Sequence, residues 1–222
     1  MLERDPLDEP FIDRQDAGRR LAERLQPLSD EDPVVVALPR GGVPVAKEVA
    51  AALGAPLEIL AVRKLGAPQN PEYGIGAVAE DGSLVIDAED VDQLGIEQNV
   101  LDSIVARETA ELRRRVSAYR GDRAPLELSD RTVIVVDDGV ATGVTDTAAL
   151  RAVRRQGPRR LILAVPVCAP DSAARLRAEA DDVICLLAPR MLYGVGRWYL
   201  DFSQVSDEEV VSLLRESGDA TA

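Results

Sequence analysis

The residues best suited to chemistry in this 222-residue sequence stand together in Val133-Ile-Val-Val-Asp137-Asp138-Gly139-Val140-Ala141-Thr142-Gly143-Val144-Thr145. Apolar residues lead into two adjacent carboxylates, and a turn built of glycine and threonine follows. The backbone N–H groups of such a turn, the threonine hydroxyls and the positive end of a following helix form a cradle for an anion, and a phosphate monoester suits it. Gly139 and Gly143 let the chain bend sharply and approach a ligand. Two carboxylates directly before the cradle repel a second phosphate but accept hydrogen bonds from vicinal hydroxyls. The ligand these residues describe carries a phosphate at one end and a diol close by, as a ribose 5-phosphate does.

Such a site has to be delivered by strands and helices, and the hydrophobic pattern supplies them. Pro33-Val-Val-Val-Ala-Leu, Leu57-Glu-Ile-Leu-Ala-Val, Thr132-Val-Ile-Val-Val, Leu161 to Val167 and Val183 to Leu187 are short apolar runs of the kind a strand covered on both faces requires. Helical patterns separate them at Val43 to Leu53, about Asp146 to Gln156 and Ser172 to Ala180. A longer helix is expected from about Glu97 to Tyr119, with Leu101, Ile104, Val105, Leu112, Val116 and Tyr119 on one face. Strands alternating with helices predict an α/β fold, a doubly wound, mostly parallel sheet with helices on both faces. Ligands of such sheets bind beyond the carboxyl ends of the strands, where the two acids fall. Asp13 caps a first helix carrying Ala17, Leu21 and Leu25, while Leu2 to Pro10 reads as a loose acidic arm. Gly74 to Ala79 and Ser83 to Asp87 make a hairpin, and Arg63 to Pro71 reads as flexible. The whole of 1–222 is expected to be one domain, with a core of about 33–187.

Composition narrows the function. With 26 Lys+Arg against 39 Asp+Glu the formal net charge is −13, so most of the surface repels nucleic acid. Cys168 and Cys185 each lie in an apolar run and the sequence has no histidine, which leaves no zinc set and points to a reducing, cytoplasmic setting. No apolar stretch reaches the length of a membrane span, and the first residues lack the order of a signal peptide.

The segment from Val133 to Thr145 resembles the phosphoribosyl pyrophosphate (PRPP) signature of type I phosphoribosyltransferases: apolar residues, two acids, a short spacer and Thr-Gly-x-Thr. That resemblance implies a cradle of Gly139, Val140, Ala141, Thr142, Gly143, Val144 and Thr145 around the 5-phosphate, with Asp137 and Asp138 on the ribose hydroxyls. Where some members place an acid before Thr-Gly to help the base lose its proton, this sequence has Ala141. Leu38-Pro39-Arg40-Gly41-Gly42 is similar to the family's pyrophosphate loop, and Arg40, Gly41, Gly42, Arg63 and Lys64 are the residues implied around the diphosphate. Mg²⁺ is the implied cofactor, bridging substrate oxygens and reached by Asp137 and Asp138 only through water or the ribose. Leu65 to Glu80 takes the position of a mobile lid over a reactive sugar.

Four of the seven aromatic residues, Tyr193, Trp198, Tyr199 and Phe202, fall within ten positions after the last strand. This matches the variable C-terminal hood of the family, where Trp198 or Tyr199 either stacks on a base or pins the tail to the core. Further segments, Phe11-Ile-Asp-Arg-Gln-Asp-Ala-Gly and Trp198-Tyr-Leu-Asp-Phe among them, are similar to a bacterial group of phosphoribosyltransferases with no settled acceptor. The expected activity is transfer of a phosphoribosyl group from PRPP to an unidentified nitrogenous base, and a homodimer is what relatives imply. A PRPP sensor without turnover is the alternative. No His or Cys nucleophile system supports a phosphosugar hydrolase.

Overall fold

The computed structural model describes residues 9–121 and 124–219. Most of the acidic arm expected over Leu2 to Pro10 therefore lies outside the described residues. The elements are α1 (Arg14–Leu25), β1 (Pro33–Ala37), α2 (Gly42–Leu53), β2 (Leu57–Ile59), β3 (Val62–Ala67), β4 (Asn70–Ala79), β5 (Leu84–Ile86), α3 (Ala88–Gln93), α4 (Gln98–Arg120), β6 (Thr132–Val136), α5 (Val144–Arg155), β7 (Arg160–Val167), α6 (Pro170–Leu176), β8 (Asp182–Leu187) and α7 (Asp207–Asp219).

Five strands form a parallel sheet in the order β2-β1-β6-β7-β8. Successive side chains of one strand enter opposite cores, which is why the sequence runs are continuously apolar rather than alternating. Val35, Ala37, Ile134 and Val136 pack with α1, α2 and α7 on one face. Val34, Val36, Val133 and Val135 pack with α5 and α6 on the other. The α/β, doubly wound reading is thus what the chain adopts. The registers Ala37↔Val136 and Val136↔Ala164 bring the carboxyl ends of β1, β6 and β7 to one edge. Among the described residues no helix is long and apolar enough to cross a membrane.

A second sheet, antiparallel in the order β3-β4-β5, replaces the loose segment expected after the second strand. The expected strand Leu57 to Val62 is in fact two, β2 in the large sheet and β3 in the small one. The run is broken at Leu60 and Ala61, whose side chains are buried in different cores. Val62, Ala77 and Ala79 face α5, while Leu65, Ile75 and Val78 face α4. Residues Leu65 to Glu80 are therefore mostly the body of a hairpin filled on both sides. Two helices were not anticipated: short α3, capped by Asp87, and α7, which buries Val210, Leu213 and Leu214 against the first core.

Candidate functional site

Two loops meet at the sheet edge. The Leu38 N–H donates to Val136 O (2.9 Å), tying the end of β1 to the end of β6. Residues 38–42 then cross directly over the acids. A Cβ built on Gly41 would lie 1.9 Å from Asp138 Oδ2, and one on Gly42 would lie 2.6 Å from Val136 O. These glycines are required by close approach, so Pro-Arg-Gly-Gly is here more than a surface turn. The Pro39–Arg40 peptide is cis.

The acids are half-buried and tightly held. Asp137 Oδ1 accepts from the Asp138 N–H (2.8 Å), and Asp138 Oδ2 accepts from Arg14 Nε (2.8 Å). One carboxylate oxygen on each thus remains for a ligand. Burial pushes the Asp137 carboxyl well above its ordinary range, and the neighbouring charges of Asp138 and then Asp146 push the same way. Burial also raises Asp138, against the opposing pull of the Arg14 guanidinium.

The cradle that follows is anchored from below. Val140 is fully buried, its N–H donates to Val167 O (2.9 Å) and its carbonyl accepts from the Ala169 N–H (3.0 Å). The Ala141 carbonyl accepts from Ser172 Oγ (2.6 Å), and the Thr142 carbonyl from Arg175 (3.0 Å). With their carbonyls held downward, Ala141 and Thr142 lie exposed at the rim. Gly143 adopts φ +77°, a left-handed conformation that turns the chain into α5. The first helical bond of α5 runs from Thr147 N–H to Gly143 O, so the N–H groups of Val144 and Thr145 precede it at the N-terminus of the helix.

The remaining expected residues divide. Arg40 lies beside the acids, and its guanidinium reaches Asp207 on α7 at 3.6 Å. Lys64 shares the β3 face of Val62, the face covered by α5, whose start is the cradle. Arg63, also expected near the diphosphate, is turned to the opposite face of β3 from Lys64. Its guanidinium holds Glu108 of α4 through Nε (3.0 Å) and Nη2 (2.5 Å), because a buried carboxylate inside an apolar helix stripe needs a partner.

Of the two roles expected for Tyr199, its contacts are those of the residue that pins the tail to the core. It is 6% exposed, its ring stands 5.3 Å from Phe11 and 5.0 Å from Phe202, and its hydroxyl donates to Asp138 O (2.6 Å). It pins the hood to the acids and has no open face for a base. Trp198 is half-buried, with Nε1 donating to Leu192 O (3.3 Å). Val195 seals the hood onto the cradle, where a Cβ on Gly139 would meet it at 2.6 Å.

Three neighbours of the site escaped the sequence reading. Nothing in the sequence links Arg14 to Asp138 or Asp207 to Arg40, although Arg14 lies in a segment similar to the bacterial group, since the first pair is 124 residues apart and the second joins the ends of the fold. Asp146 reads as an ordinary acid in a first helical turn. In the fold it is 3% exposed, its Oδ1 has no hydrogen-bond partner, and burial raises its pKa to about 7.

The family model of the phosphoribosyl transferase domain matches residues 13–191, which takes in both loops, the acids and the cradle. The chain belongs to that family. The crystal structure of TT1426 from Thermus thermophilus is similar, with 47% identity and a TM-score of 0.78 over 93% of this chain and 98% of that one. Two Mycobacterium tuberculosis proteins, from strains CDC 1551 and H37Rv, each bear the name "Putative phosphoribosyl transferase". Both are 45% identical over 204 residues, 92% of this chain and 46% of theirs, so this phosphoribosyl transferase domain spans less than half the length of those relatives.

The magnesium ion implied by the family can be set against these residues. Among the described residues no group of three or more His, Cys, Asp or Glu is placed to hold a metal by itself. The hard carboxylate oxygens left open on Asp137 and Asp138 suit Mg²⁺ that keeps its waters and takes further oxygens from a substrate. The residues therefore fit that ion as a companion of the ligand.

Proposed function

We propose that this domain transfers a phosphoribosyl group from PRPP to a nitrogenous base with release of diphosphate, in a reaction that requires Mg²⁺. The observation that carries the reading is the packing of the 38–42 loop onto Asp137-Asp138, directly before the cradle of residues 139–145. Diol, phosphate and diphosphate groups thereby face one sheet edge. The open N-terminus of α5 and the threonine hydroxyls hold the 5-phosphate. Asp137 and Asp138 accept from the ribose hydroxyls. Arg40 and Lys64 stabilise charge on the departing diphosphate. Mg²⁺, when bound with the substrate, adds electrostatic stabilisation of that leaving group. No covalent nucleophile is needed, because positive charge developing on the sugar carbon is steadied by the acids as the diphosphate leaves.

One observation favours binding without turnover. The exposed residue before Thr142-Gly143 is Ala141, whose methyl group cannot accept a proton from the base. A single experiment separates the readings: diphosphate release from PRPP and Mg²⁺ across a panel of purine and pyrimidine bases. Release with one base, abolished in Asp137→Asn and Asp138→Asn proteins that still fold, supports transfer. Saturable PRPP binding with no release for any base supports the sensor, and no PRPP binding at all overturns both.

A further inference from the structure

Arg14 lies in one of the segments similar to the bacterial group and holds one of the two acids. We infer that Arg14 is a positioning residue that aims the Asp138 carboxylate at the ribose hydroxyls, a proposal that rests on the assignment of the acid pair to the PRPP diol.

Three contacts fix the guanidinium. Nε donates to Asp138 Oδ2 (2.8 Å), Nη1 donates to Ser203 O (2.8 Å), and the central carbon stands 3.9 Å from the centroid of the Phe202 ring. The side chain is only 11% exposed. A planar fork held at two edges and one face has little freedom to follow a carboxylate, so the carboxylate follows it. Asp138 is confined on its other sides as well. Gly41 approaches Oδ2 so closely that no Cβ fits there, and the Tyr199 hydroxyl holds the Asp138 carbonyl (2.6 Å). Oδ2 is held on these sides and Oδ1 is the oxygen left to a ligand. Without Arg14 the two oxygens become equivalent, and the uncompensated charge stands beside Asp137 in a half-buried place.

The origin of these contacts extends the site. Phe202 and Ser203 lie beyond residue 191, where the family match ends, and Arg14 lies at its first edge. The hood and the start of α1 therefore act on the sugar-binding acid through one guanidinium.

Isothermal titration of the intact protein with PRPP in the presence of Mg²⁺ tests this, alongside thermal melts of every variant. Arg14→Met is expected to weaken PRPP binding about tenfold or more, the scale of one charge-assisted hydrogen bond. In an Asp138→Asn background the same change is expected to cost less than about twofold, because Arg14 acts through Asp138. Phe202→Leu, which removes the face that holds the guanidinium and leaves the ion pair, is expected to weaken PRPP binding by a smaller factor, about two- to threefold, and to lose that effect in the Asp138→Asn background, which a merely structural role does not give. Should Arg14→Met fail to fold, Arg14→Lys carries the test with an expected weakening of about threefold or more, since lysine supplies charge without the fork. Unchanged affinity in the Arg14 variant, or a full penalty persisting beside Asp138→Asn, overturns the inference and leaves the proposed function standing. Absence of binding by the unmodified protein overturns the function, and the inference with it.

Discussion

The carboxylate of Asp138 rests on the α-carbon of Gly41, so close that a methyl group there would lie 1.9 Å from Oδ2. Two loops separated by almost a hundred residues thus share one surface, and the backbone of one shapes the side chain of the other. Catalysis by placement of charge depends on such fixed relationships, since groups already in position need no reorganisation when the reaction occurs.

Gly41→Ala is the direct test of that contact. The methyl group must displace the Asp138 carboxylate or lift the 38–42 loop. The expected cost in stability is about 1–3 kcal/mol, as for other overpacked sites, together with loss of PRPP binding. A melt and a binding titration of the same sample check both.

Lys64 and Arg63 are neighbours in sequence but face opposite sides of β3, and they are expected to fail differently. Lys64→Ala lowers the transfer rate, on the order of a hundredfold if it steadies the leaving group, with the melting temperature nearly unchanged because its side chain is exposed. Arg63→Met leaves Glu108 Oε2 without its partner, Arg107 holding only Oε1, and costs about 1–3 kcal/mol of stability, with the KM for PRPP unaltered. Steady-state kinetics beside thermal melts distinguish the two.

Asp146 makes stability depend on pH. Burial raises its pKa from 3.8 to about 7, and the charge of Asp138 adds to the rise. Between those two values the unfolded chain is ionised at this position while the folded chain holds the proton. Stability contributed by the protonated form is therefore lost as pH rises through that window. Asp146→Asn removes the titration at nearly constant shape. Relative to the unmodified protein it is expected to gain more than about 1 kcal/mol at pH 8 and nothing at pH 4, as read by denaturant melts at the two pH values.

The hood contact predicts a further effect. Tyr199→Phe removes the hydroxyl that holds the Asp138 carbonyl and leaves the ring packing against Phe11 and Phe202. The expected loss is about 1 kcal/mol of stability, with weaker PRPP binding than that loss alone explains. Melting and titration of this variant beside Arg14→Met measure how far the two supports of Asp138 are coupled.

Much of this protein is written locally. The five core strands announce themselves as apolar runs because each strand is covered on both faces, and the anion cradle announces itself because acids, glycine and threonine must follow one another along the backbone to form it. The close relationship of Asp137 and Asp138 to residues 139–145 needs no tertiary information at all.

What the fold alone decided lies between distant segments. Sequence order cannot convey that Gly41 makes room for Asp138, that Arg14 and Tyr199 clamp that same residue, or that Arg63 is claimed by Glu108 while Lys64 faces the helix of the cradle. Strand pleat set the last of these, since adjacent residues on β3 point to opposite faces and only the packing of α4 and α5 determines which face meets the site. Arg63 to Pro71, expected as flexible, became strand added to the expected hairpin for a similar reason: small and apolar residues there gain their burial from helices far along the chain. Local spacing thus specified the acids and the turn proposed to hold the phosphate, whereas long-range packing decided which charged side chains face them.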